Sequence, residues 1–431
     1  MNIAPQWLRK SAVYQVNPRT FSKEGTIKAV TKELPFIASL GFRILYICPV
    51  FEADDSEDRA FWSERQLASE TNNPKNPYRM KDYFKIDPEY GTMEDLRELV
   101  EETHRLGMKI LLDLVYFHLG PGAPILKAHP DFTTTDENGN VVMGKWNFPA
   151  FNYENPGVRE YLWSNMVYYI AAIGVDGYRC DVAGRVPLDF WEEGKRRIQA
   201  INPEAIMINE GSKAEYLAVF DMNYGMHWNS IVHKLLLKEI TCEEFIETHR
   251  DFAGRYPENA LILRNMENHD LVTNRPYRID AHFGYDCMEL TMALNYTIDG
   301  VPMVYCGNEI CDTARHSMFA NRFFMGAFEV ADREDLKPTA AAARRMEVCK
   351  ILNRMKQEWA PLSNGKTQWL QTENPYVLAF TRTYKNQVIT FVGNFSEAET
   401  DVAVDLSGEI LLSNQATENH LGAYGYTIVK K

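Results

Sequence analysis

Residues 155–181, NPGVREYLWSNMVYYIAAIGVDGYRCD, contain the reading on which the fold turns. Asn155 is a side-chain cap and Pro156 a first-turn residue, so the pair predicts a helix start. Val158, Leu162, Met166, Tyr169, Ile170 and Ile173 recur at helical spacing, and Gly174 stands past the end. Val175 to Arg179 then reads as a short buried strand delivering Arg179 and Asp181 at its C-terminal end. The same helix-then-strand unit repeats outward in both directions. Upstream, Thr92 and Asp95 form a capping-box pattern before a helix with Met93, Leu96, Leu99, Val100 and Leu106 on its apolar face. Gly107 stops that helix, and Ile110 to Leu112 follows as a strand. Earlier still, Val13 to Val16 and Ile44 to Ile47 read as strands flanking a helix over Ile27 to Leu40. Downstream, Ala205 to Ile208, Leu217 to Phe220, Leu261 to Leu263 and Pro302 to Tyr305 complete eight strands. Eight strands mostly followed by helices predict an α/β fold, the (β/α)8 TIM barrel.

Two stretches interrupt the alternation. Residues 51–81 form a polar excursion after the second strand, and residues 119–153 a Gly/Pro/Asn-rich insertion after the third, large enough to wall a cleft. Beyond about residue 362 short strand-like runs take over: Gln368 to Leu370, Tyr376 to Thr383, Val388 to Phe395, Asp401 to Leu406, Glu409 to Leu412 and Tyr424 to Val429. The expected organisation is therefore a catalytic barrel over residues 1–361 and a small C-terminal antiparallel β domain over residues 362–431.

The 431 residues carry 46 Lys+Arg against 59 Asp+Glu, a net charge of −13 without a basic cluster, which argues against nucleic-acid partners and anionic membranes. No apolar stretch approaches the ~20 residues that span a bilayer. Met1 to Tyr14 shows no apolar signal core, and seven cysteines lie scattered without a Cys-x-x-Cys pair. Both features lead us to expect a cytoplasmic protein with reduced thiols and no zinc. Aromatics at 12% must fill either the core or a ligand surface.

Catalytic groups of such barrels stand at the C-terminal strand ends. Here those ends offer Asp113 and His118, Arg179 and Asp181, Glu210, and then His269 and Asp270. Singly, Asp181 could cap the next helix and Glu210 could be a solvated loop residue. Together they fit glycoside hydrolysis, which needs one carboxylate at the anomeric carbon and one proton-bearing carboxyl at the leaving oxygen. An arginine beside the first would keep it ionised, and neutral imidazoles suit sugar hydroxyls.

At these residues the chain resembles the α-amylase family of retaining α-glycoside hydrolases and transglycosylases (glycoside hydrolase family 13), over nearly its full length. Asp113 to His118, Gly177 to Asp181, Ile208 to Glu210 and Glu267 to Asp270 are similar to four blocks of that family. Asn76 to Tyr83 with Asp87 to Thr92, and Gly300 to Glu309, resemble two more. The resemblance implies Asp181 as nucleophile of a covalent β-glycosyl-enzyme, Glu210 as general acid and then base, and Asp270 as the carboxylate binding ring hydroxyls. It implies that Arg179 holds Asp181, that His118 and His269 bind the sugar and that Tyr78 stacks on it. Retention would place Asp181 and Glu210 ~5–5.5 Å apart.

Two departures matter. Phe117 stands where the family usually has an Asn that commonly ligates calcium, and a phenyl ring cannot hold a hard cation. We therefore expect no metal and no cofactor. Gly184-Arg185 replaces a Lys-His pair found in many α-1,4-acting amylases, and Val182 occurs in some α-1,6-acting relatives. Arg185, Arg275, Trp146 and Phe151 are further substrate-contact candidates. Trp146, Phe148 and Phe151 could equally form a satellite core holding the insertion, Trp62 and Phe61 share that ambiguity, and Arg275 could pair with a loop carboxylate. Cys180 is expected to point away from the cavity, because neighbours alternate along a strand. The expected activity is retaining hydrolysis of α-glucosidic bonds, α-1,4 before α-1,6, in maltodextrin-type oligosaccharides. Alternatives are a transglycosylase or glucosyl isomerase using the same intermediate, and a non-catalytic amylase-like sugar-binding protein.

Overall fold

The eight parallel strands of the barrel are Val13–Val16, Ile44–Ile47, Lys109–Leu114, Gly177–Cys180, Ile206–Asn209, Met222–Tyr224, Ile262–Arg264 and Val301–Tyr305. They close in sequence order, the first pairing with both the second and the eighth. The computed structural model describes residues 4–330, 333 and 338–431, so the first three residues of the opening segment lie outside the described residues. A C-terminal antiparallel sheet follows the barrel: strands 366–370, 377–384, 387–394, 409–417 and 420–430 pair in it, with Thr400–Asp401 at one edge.

Alternation along each strand sorts the core into two shells. Val13, Ile44, Tyr46, Leu111, Ile206, Ile208, Met222, Tyr224, Leu263, Val301 and Met303 cluster inside the barrel, closed at the N-terminal end by Leu8 of the helical turn Gln6–Arg9. Tyr14, Leu45, Ile110, Leu112, Tyr178, Cys180, Met207 and Val304 belong to the separate cluster that includes the helices, so Cys180 does turn away from Arg179. The helix Met93–Arg105 starts at the Thr92–Asp95 capping box, worth about 1 kcal/mol. The helix Pro156–Tyr168 continues through one wide turn to Ile173 and ends on Gly174 at φ 87°.

Gly177 opens the fourth strand at φ 150°, where an added Cβ would stand 2.1 Å from the Ile206 carbonyl oxygen. Gly177→Ala is expected to lower stability by about 3 kcal/mol, read as a shifted urea midpoint. The cause is steric, because the fourth and fifth strands would have to part beneath Asp181 and Glu210.

Two strand expectations are corrected. The sixth strand is Met222–Tyr224, not residues 217–220, which belong to the turn Ala214–Ala218 and its exit. Tyr216 and Leu217 are apolar because they pack under the strands, and Asp221, held by Lys195 Nζ at 3.0 Å, marks the true strand start. Of residues 401–406 only Asp401 pairs, opposite His420; Val402 and Val404 bury their side chains without joining the ladder.

Candidate active site

Arg179, on the inner face of the fourth strand and 1% exposed, organises the C-terminal mouth of the barrel. Its Nη1 donates to Asp113 Oδ1 at 2.7 Å and to Asp181 Oδ1 at 2.9 Å, while Nη2 lies 2.9 Å from Glu210 Oε2. Glu210 Oε2 also accepts the Val182 N–H at 2.7 Å. Val182 reaches that geometry at φ 41° and ψ 36°, a left-handed conformation that strains a β-branched residue by about 1–3 kcal/mol. One oxygen of each carboxyl is thus pinned. No hydrogen bond among the described residues engages Asp181 Oδ2 or Glu210 Oε1, and both side chains line the same cavity.

Behind the cavity runs a hydrogen-bonded chain. Gln15 Nε2 sits 2.7 Å from His269 Nδ1, and His269 Nε2 lies 2.6 Å from the Tyr78 hydroxyl. Tyr78 donates onward to Asp113 Oδ2 at 2.9 Å, and Tyr46 donates to the same oxygen at 2.6 Å. With Gln15 donating, His269 carries its proton on Nε2 and Tyr78 passes the polarity to Asp113, whose other oxygen faces Arg179. The links come from the first, second, third and seventh strand ends and their loops, the second supplying both Tyr46 and Tyr78.

Burial, and then the neighbouring Glu210 charge, raise the Asp181 carboxyl well above the ordinary carboxylate range. Burial likewise raises Glu210 against the opposing pull of Arg179. Both carboxyls therefore give up their protons at higher pH than isolated carboxyls would. Asp270 goes the other way, to about 2: burial is outweighed by His269, Arg65 and Arg179. Burial lowers His118 to about 4. Its Nε2 lies 2.8 Å from the Tyr78 carbonyl oxygen, which fixes the proton there and leaves Nδ1 as an acceptor without a partner.

That shift has a stability consequence with a definite sign. Unfolded His118 binds a proton below about 6.5, whereas folded His118 stays neutral down to about 4. The unfolded state therefore binds more protons in that window, and stability falls as pH drops from about 6.5 to 4. His118→Gln is expected to flatten that slope by about 1.4 kcal/mol per pH unit, measured by urea unfolding across the window.

The cavity gathers Tyr78, His118, Trp146, Asp181, Glu210 and Asp270 of the expected site residues. Trp146 reaches it at φ 69°, within a turn of left-handed residues. Phe148 joins it on the wall, and so these two face the ligand space rather than only the insertion's own core. Arg179 and His269 are buried behind the wall, with both Arg179 Nη atoms and both His269 ring nitrogens engaged as described. Three expectations are corrected. Phe151 is 5% exposed and packs on Tyr83 at 5.8 Å, in the core beneath the insertion. Arg275 binds the Met266 carbonyl and Asn229 Oδ1, the latter at 2.7 Å, a loop brace with no carboxylate hydrogen-bond partner among the described residues. Arg185 does not line the cavity but lies over the Phe117 ring at 5.6 Å. Trp62 is likewise structural, donating to the Ser56 carbonyl at 3.0 Å.

Sequence reasoning missed Ser63, Arg65 and Asn76 from the polar excursion, Asn274 after Asp270, and Met318 with Phe319 beyond the last strand. Arg65 donates from Nη1 to Asp270 Oδ1 and from Nε to Asn274 Oδ1, both at 2.8 Å. Met318 and Phe319 are brought in through their carbonyls, which accept from Arg19 at 2.7 Å and Asn73 at 2.9 Å.

Comparison with known proteins identifies the family. A family model of the alpha-amylase catalytic domain matches residues 15–136 and 140–388. The maltogenic alpha-amylase of Bacillus acidopullulyticus is 27% identical over 71% of this chain and 57% of its own length. Neopullulanase 2 of Thermoactinomyces vulgaris is 25% identical over 90% of this chain and 70% of its own. The chain thus spans little more than half of the first of these relatives. Among solved structures, an alpha-amylase from Lactobacillus plantarum superposes with a TM-score of 0.82 at 24% identity, covering 99% of this chain and 100% of that one.

Proposed function

The chain belongs to the α-amylase catalytic-domain family, and from that premise we propose that it is a retaining α-glycoside hydrolase acting on maltodextrin-type oligosaccharides, at α-1,4 and secondarily α-1,6 bonds. One observation carries the reading: a single guanidinium pins one oxygen of Asp181 and one of Glu210, leaving the other oxygen of each free on a shared cavity wall. Asp181 Oδ2 attacks the anomeric carbon while Glu210 Oε1 delivers its proton to the leaving oxygen. The bond to the leaving sugar breaks and a β-linked ester to Asp181 forms. Glu210, now ionised, takes a proton from water, whose oxygen displaces Asp181 and restores the α configuration. Asp270, held anionic, and the Nδ1 acceptor of His118 bind ring hydroxyls, and Trp146 and Phe148 offer apolar faces to pyranose rings.

The residues at the family's usual calcium position do not fit that ion. Phe117 supplies no oxygen there, and the Arg185 cation covers its ring. We read the enzyme as metal-independent and derive no step through calcium. Among the described residues no helix is long and apolar enough to cross a membrane. The seven cysteines are free and buried, which supports a reducing, cytoplasmic compartment.

The test is product analysis with maltotriose, isomaltose, panose and soluble starch, with and without chelator. Glucose or maltose released first as the α anomer, undiminished by chelation, is the expected result. Loss on chelation with recovery in calcium overturns the metal-independent reading. New longer or isomerised sugars without net hydrolysis move the reading to a transglycosylase, and inactivity on all four returns it to a sugar-binding protein.

A further inference from the structure

Three carboxyl side chains line the cavity, yet Arg179 ion-pairs with only two of them, Asp181 and Glu210, its remaining contact being Asp113. The third, Asp270, is met from the opposite rim by Arg65, on the short helix Glu64–Leu67 of the polar excursion. Arg65 is itself held in plane by Asn274, one turn beyond Asp270 on the helix His269–Asn274. Its Nη2 is shielded from solvent and has no hydrogen-bond partner among the described residues. Asp270 Oδ2 lies 3.4 Å from His269 Nε2, whose shorter contact is with Tyr78, so Oδ2 remains the oxygen with capacity for a ligand.

We propose that Arg65 is a positioning residue for Asp270: it fixes the carboxylate through Oδ1 and leaves Oδ2 for a ring hydroxyl. The inference rests on the hydrolase reading and deepens it. The charges support a neutral substrate. Arg179 offsets Asp113, Arg65 offsets Asp270, and the dyad with its one proton leaves about one net negative charge, suited to a cationic oxocarbenium-like state and unsuited to an anionic sugar. The groups that act on Asp270 are Arg65 from the excursion and His269 from its own helix. Arg179, Asp181 and Glu210 act from the fourth and fifth strand ends.

Removing the Arg65 charge raises the Asp270 pKa. An activity that needs ionised Asp270 is then lost at a higher pH than in the wild type. Arg65→Met is expected to lower kcat/KM by about 10- to 100-fold and to move the acid limb of the pH profile upward. Arg65→Lys keeps the charge and is expected to restore the acid limb while KM stays raised, because one ammonium cannot hold both Asp270 and Asn274 as the guanidinium does. A merely structural role would lower the melting temperature of both variants without separating them. Arg65→Gln is the substitute where Arg65→Met does not fold. An unmoved acid limb in the uncharged variants, or the same profile in Lys and Met, overturns the proposal. A wild type inactive on all four substrates overturns the hydrolase reading instead. The Asp270 carboxyl titration, followed by 13C NMR and identified by its loss in Asp270→Asn, still decides for Arg65: a carboxyl that titrates identically with and without the arginine overturns its role.

Discussion

Asp181→Asn is expected to abolish turnover and at the same time to raise the melting temperature. Turnover goes because the amide oxygen cannot form the ester; the loss is about 10⁴-fold or more in kcat. The stability gain comes from the same carboxyl's displaced ionisation. Burial and the Glu210 charge make the folded state resist ionising Asp181. A carboxyl whose folded pKa is raised contributes stability below its unfolded value of about 3.9 and loses that contribution as pH rises through the folded value. At neutral pH the wild type therefore holds an unwelcome charge that asparagine removes without changing shape or the contact with Arg179. The gain should shrink on acidification and vanish near pH 4. Calorimetry of both proteins between pH 4 and 8 checks it, and equal melting temperatures throughout would contradict the assigned electrostatics.

Arg179→Met should lower both quantities. Its removal strands Asp113, Asp181 and Glu210 in a dry cluster without their shared cation, at a cost of about 3–5 kcal/mol. The Asp181 and Glu210 pKa values then rise further. By the same sign rule the deficit is least below about pH 4 and grows as pH climbs through those raised values. Lysine should rescue little. A single ammonium cannot span what two guanidinium nitrogens hold from fixed directions. Activity should fall to the level of the Asp181 variant, since both free oxygens lose their orientation together. Measuring kcat and the urea midpoint of the Met and Lys variants at pH 4.5 and 7.5 separates the two effects.

Much of this architecture is legible in the residues because it obeys local rules. The helix over 93–105 is written in Thr92, Asp95 and a 3.6-residue apolar period, and the fourth strand in Gly174, Gly177 and the alternation of Arg179 and Cys180. Strand ends in a barrel must converge, so the sequence alone brings Asp181, Glu210, Asp270 and His118 to one mouth. The sixth strand misled because Leu217 and Phe220 are apolar for packing beneath the sheet, and a three-residue strand leaves too short a period to compete. Arg65, Met318 and Phe319 follow no period at all. They reach the cavity through single contacts between loops far apart in the chain, such as Asn73 to the Phe319 carbonyl and Arg19 to that of Met318. Phe151 and Arg275 erred the opposite way. A ring and a guanidinium of the right type stood in the right loops, but each was consumed by packing or by bracing the backbone.

The closure of the first strand against the eighth also governs when the protein becomes competent during its synthesis. Gln15, which orients His269, waits for a partner 254 residues away, and Tyr14 waits for Glu309 across 295. A nascent chain stopped before the seventh strand already contains Asp181 and Glu210 but has neither Asp270 nor the imidazole that orders Tyr78. Catalysis is thus withheld until the ring shuts, and on refolding the recovery of helical signal should run ahead of the recovery of turnover.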